Sequence, residues 1–104
     1  MDDLILIQGY QLIKKDLPLE EDFDDGPIQS YDRLLHWLTL QVARLLNYDF
    51  QGLINALYRI DIPERDVKQI LELEDPDKIA SSLAEAILRR QLAKIETRRR
   101  YSGE

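Results

Sequence analysis

The chain has 104 residues, a hydrophobic content of 44% and a charged content of 33%, which suits one globular domain and argues against a disordered or fibrous chain. It contains no cysteine and a single histidine, His36, so thiolate chemistry, disulfides and histidine-rich metal sites are excluded. The net charge of −6 is placed unevenly. Residues 1–25 carry that whole excess, residues 61–75 hold six acids against two bases, and residues 76–101 hold three acids against seven bases.

Asp2 and Asp3 precede the apolar run Leu4–Ile7, the reverse of a secretory signal, and no apolar run reaches the roughly 20 residues that cross a bilayer. A cytoplasmic protein without a membrane partner is the expectation. Within residues 1–17, Leu6, Tyr10, Ile13 and Leu17 recur at helical spacing, although Gly9 costs a helix about 1 kcal/mol relative to alanine. The Leu4–Ile7 run also fits a short strand. The helical reading is preferred, and in either form the segment is an arm that docks its apolar side.

Residues 18–29 form an acidic connector, with Pro18, Pro27 and Gly26 among five acids. A calcium-binding loop fails on register, because Phe23 falls where an oxygen ligand is required. Residues 1–29 are therefore set apart from a helical domain over residues 30–104.

Ser30 is an N-cap with Asp32 in the first turn of the next helix. Tyr31, Leu34, Leu35, Leu38, Val42, Leu45 and Leu46 make one apolar face, while Trp37, Leu40 and Ala43 fall outside it. This excess of apolar surface marks the helix as the central element. Trp37 is expected under the arm or in a subunit interface. A tight connection follows at residues 47–49, with Asp49 as a cap and Tyr48 packing on Leu53 as a hydrophobic staple. Phe50, Leu53, Ile54, Leu57 and Ile60 give the second helix its apolar face, and Pro63 suits the first position of a short third helix that turns Val67, Ile70 and Leu71 inward. Asp75 and Pro76 open a last helix over residues 76–100, roughly 37 Å long, with a stripe of Ala80, Leu83, Ala84, Ile87, Leu88, Leu92 and Ile95.

The apolar spacing of Ile60, Ile62, Val67, Ile70 and Leu71 resembles the turn and second helix of helix-turn-helix DNA-binding modules. Asp61 stands where the turn glycine usually is, and Glu64 and Asp66 occupy the turn that must approach phosphates, so nucleic acid is a disfavoured partner. Arg98, Arg99 and Arg100, supported by Arg89, Arg90 and Lys94, cap a helix C-terminus and are the candidate electrostatic contact. His36 has Asp32 four residues before it and reads as a surface or interface histidine.

These patterns predict an all-α fold, a compact bundle of about four helices with a long C-terminal helix, preceded by the arm and connector. No catalytic residue, cofactor or metal ligand is nominated. The expected function is a non-enzymatic protein–protein interaction or self-assembly module, with a homodimer favoured and an unidentified protein partner open. Trp37, Leu40, Leu92 and Ile95 are the candidate interface. The alternative is nucleic-acid binding by the basic last helix with the helix-turn-helix-like unit.

Overall fold

A computed structural model of the chain describes residues 3–19, 22–23, 28 and 30–101. Among them are five helices and no strand: α1 (Asp3–Asp16), α2 (Tyr31–Tyr48), α3 (Phe50–Ile60), α4 (Glu64–Leu71) and α5 (Pro76–Tyr101). The all-α bundle with a long last helix is thus the observed architecture. The arm is the fifth helix of that bundle.

Local sequence accounts for most of the boundaries. The Ser30 hydroxyl accepts from the Arg33 N–H at 3.3 Å and starts α2. Asp49 serves two helices at once. Its N–H donates to the Leu45 carbonyl at the end of α2, and its carboxylate accepts from the Gly52 N–H at 3.0 Å to start α3. The carboxylate lies so close that a Cβ on Gly52 would stand 2.2 Å from Asp49 Oδ2, so glycine makes room for this cap. Tyr48 is 84% exposed and does not form the expected staple, because the one-residue connection leaves its ring on the outer side of the corner. Phe50, expected on the inner face of α3, is likewise exposed.

The α3–α4 turn closes in a Schellman arrangement, with the Ile62 N–H on the Leu57 carbonyl and the Asp61 N–H on the Tyr58 carbonyl. It requires a left-handed residue, and Asp61 supplies it at φ 70 and ψ 44. Aspartate tolerates this region better than most side chains do. Pro63 precedes α4 as its N-cap residue rather than lying at the first helical position, a shift of one residue. Asp75 accepts from the Asp77 N–H at 3.0 Å and opens α5 at Pro76, as its sequence signal predicts.

The centre of the bundle is α5, not α2. α5 packs against α1, α2, α3 and α4, and buries Ala80, Leu83, Ala84, Ile87, Leu88, Gln91, Leu92 and Ile95 along its length. Length decides this, since a helix of 26 residues spans about 39 Å and can touch every other element. α1 packs beside α5, with Gly9 against Leu92 and Asp16 against Gln91. Leu6, Ile13 and Leu17 share one hydrophobic core with residues of α2, α3 and α5. The apolar side of the arm therefore docks within its own chain.

Candidate functional site

The docking of α1 changes the reading of the expected interface residues. Trp37 is 8% exposed, and its ring meets Tyr10 at 5.3 Å and Phe23 at 6.2 Å between centroids, both edge to face. Tyr10 and Phe23 also meet at 6.2 Å, which closes an aromatic triangle. The Phe23 N–H donates to the Tyr10 hydroxyl at 3.0 Å, so the connector is held down at this point. Leu92 and Ile95 are buried as well, beneath α1. The candidate interface is corrected accordingly: three of its four side chains are covered inside the protomer, because α1 and Phe23 supply the apolar surface that a second chain was expected to bring. Leu40 alone of the four is exposed.

Polar contacts fasten the C-terminal end of α1 and the connector just beyond it. Gln91, fully buried, donates from Nε2 to Asp16 Oδ2 at 2.9 Å, and the Arg59 guanidinium donates to the Asp16 carbonyl at the end of α1. Lys14 pairs with Asp22 at 3.0 Å and lies 5.4 Å from the Tyr10 ring centroid. The hydrogen bond to Asp22, with the Tyr10 phenol beside it, raises the Lys14 pKa above the usual lysine value. Asp22 thus pairs with α1 and not with the basic end of α5. The other connector acids, Glu20, Glu21, Asp24 and Asp25, lie outside the described residues, as do Gly26 and Pro27. Burial, reinforced by Arg90, lowers the Lys94 pKa.

Arg98 and Arg99 join Lys15, Gln8, Gln11, Leu12 and Ile95 around a cleft of ≈ 310 Å³ between α1 and α5. Arg98 and Arg100 are exposed and Arg99 is partly buried. His36 is exposed on α2. Among the described residues, no three of the His, Asp and Glu side chains cluster as a metal site, and no helix is long and apolar enough to cross a membrane.

The site that sequence reasoning missed lies between α3 and α4. Ile54, Leu57, Tyr58, Ile62, Val67 and Leu71, with Glu64 and Lys68, line an open groove of ≈ 240 Å³. α4 contributes no fully buried side chain, although Val67, Ile70 and Leu71 all face inward as predicted. A helix of 8 residues is too short to close over the apolar side of α3, and Tyr58 is left 63% exposed on the rim. The only signal in the sequence was the brevity of α4 beside an α3 that is apolar over most of its length. The helix-turn-helix likeness falls on this same α3–α4 unit, but the exposed positions of α4 include Glu64, Arg65, Lys68 and Gln69, which do not make a basic reading face.

These features define a class of object, a small all-α bundle with a tryptophan covered by two partly buried aromatic rings on one side and an open apolar groove on the other. No family model matches the chain, and neither does any curated protein or solved structure.

Proposed function

We propose that this chain is a small, non-enzymatic protein-interaction module that acts in the cytoplasm and associates with other chains through its α3–α4 groove, a homodimer being the favoured form. The observation that carries this reading is the groove itself. Its lining is mostly apolar, and binding sites for protein segments are concave and apolar with a few polar groups on the rim, here Glu64 and Lys68. Tyr58 is an exposed aromatic anchor beside it, of the kind enriched in binding surfaces. A non-enzymatic role is supported by the employment of the polar groups around the end of α1. Asp16, Arg59 and Gln91 hold helices together, and none of them converges on the groove. Nucleic-acid binding has less support, because residues 61–75 are acidic where that reading requires cations.

The reading is tested by selecting helical peptides from a displayed library on the wild-type chain and measuring them again on Tyr58→Glu, a change at an exposed position. Selected peptides are expected to lose about tenfold or more in affinity for the variant. Failure to enrich any peptide, or equal binding to the variant, contradicts the proposal.

A further inference from the structure

The two ends of α5 differ in charge. At its start, Glu72, Glu74, Asp75 and Asp77 are exposed next to Leu71, which lines one end of the groove. At its other end Arg98, Arg100 and Tyr101 are exposed, Tyr101 at 85%. At 1.5 Å per residue, the helix between Pro76 and Arg98 holds these features about 33 Å apart. The longest dimension of the molecule is 42 Å, so they lie toward opposite ends and cannot meet within one chain.

We propose that the occupant of the α3–α4 groove is the last turn of α5 from a second copy of this chain. The proposal rests on the interaction reading of the groove and names its partner. Arg98 and Tyr101, three residues apart, share one side of the helix, so the aromatic ring enters the apolar groove beside Tyr58 while the arginines lie along Glu72 and Glu74. An exposed tyrosine suits this role, since it offers a large apolar face with a polar tip. The charge pairing sets orientation and encounter rate, and the ring supplies the apolar contact. When two copies lie antiparallel, each tail reaches the other's groove. One two-fold contact then serves both ends of both chains, the commonest form of self-association.

The test is sedimentation velocity on the full chain and on two charge-reversed variants, Arg98→Glu/Arg100→Glu and Glu72→Lys/Glu74→Lys. All four positions are exposed, so the fold is retained. The wild type is expected to be a dimer at tens of micromolar, and to weaken as salt rises toward about 1 M, where the Debye length falls to about 3 Å. Each variant alone is expected to sediment as a monomer, with its dissociation constant raised about tenfold or more. Mixing the two variants restores complementary charges at both contacts and returns a dimer, which also shows that both are folded. A monomeric wild type, variants that dimerise unchanged, or a mixture that stays monomeric overturns the proposal. If helical peptides still bind the groove in a Tyr58-dependent manner, the interaction reading survives that failure. If they do not, both fall.

Discussion

On the α1 side of the molecule, the aromatic ring that exceeds its helix's main stripe, Trp37, is covered by Tyr10 and Phe23, whereas on the α4 side Tyr58 stands exposed beside an apolar groove. Both regions begin from the same local fact, a helix more apolar than one neighbour can cover. They differ in the cover. α1 has 14 residues, is tied at its C-terminal end to α3 and α5, and brings Leu6, Ile13 and Tyr10, while the connector behind it adds Phe23 as the second partner of Trp37. α4 has 8 residues, and its inward side chains remain only partly buried. Apolar excess in a sequence therefore locates a surface that needs a neighbour, and the length of the adjoining element decides whether the chain provides that neighbour itself.

The comparison predicts different consequences for truncating the two aromatics. Trp37→Ala opens a cavity beneath Tyr10 and Phe23 and is expected to cost about 3–5 kcal/mol in chemical denaturation. Trp37→Phe keeps a ring in place and deletes an N–H that finds no acceptor among the described residues, so its cost is expected below about 1.5 kcal/mol. Tyr58→Ala is expected to change stability by no more than about 0.5 kcal/mol, as for other surface positions, while weakening association. Equal destabilisation by Trp37→Ala and Tyr58→Ala would erase the distinction.

Gly9 sharpens the α1 side. A Cβ there would stand 2.6 Å from Leu92 Cδ2, so glycine lets the α1 backbone approach α5 closely. Gly9→Ile overfills this contact and is expected to lower stability by about 1–3 kcal/mol, measured by urea midpoint. A neutral result would mean that the two helices are not held at this distance.

The α4 side has its own probe in the left-handed Asp61. Asp61→Gly relieves the backbone but removes the Arg90 contact at 3.5 Å, an exposed ion pair of little worth. The net expectation is a gain of about 0.5 kcal/mol, visible as a higher melting temperature. A loss would show that the ion pair outweighs the turn.

The smallest effect concerns Lys94. Its pKa is lowered in the folded chain by burial, so the unfolded chain holds the proton more tightly. Stability therefore rises with pH through the interval just below the usual lysine value, and Lys94→Met is expected to flatten that rise. Lys14 acts oppositely and in a higher interval: its raised pKa means a contribution present at neutral pH and lost as pH climbs past that raised value. Identical pH profiles for wild type and Lys94→Met would contradict the burial of this ammonium.

Much of the fold was legible in the chain. Ser30, Asp49, and Asp75 with Pro76 announce their helices through caps whose chemistry is local, and the stripe from Ala80 to Ile95 repeats at helical spacing over many turns. What covers Trp37 was only half legible. Burial under the arm was one expected outcome, but Phe23 sits in a connector without periodicity, and its contact with Tyr10 joins residues 13 apart in sequence. The groove was hidden for the opposite reason. Ile54, Leu57, Val67 and Leu71 have the spacing of core residues, and spacing records only that a side is apolar, not whether a neighbour is long enough to close over it.

The central claim, that α4 is an incompletely covered helix whose groove takes another chain, is tested most directly by amide hydrogen exchange on α4 and α5 at low and high protein concentration. In dilute solution the α4 amides are predicted to exchange well before those in the middle of α5, and to become protected as the concentration rises into the range where the chains associate. Protection of α4 equal to that of α5 in the dilute protein, and unchanged on concentration, would contradict it.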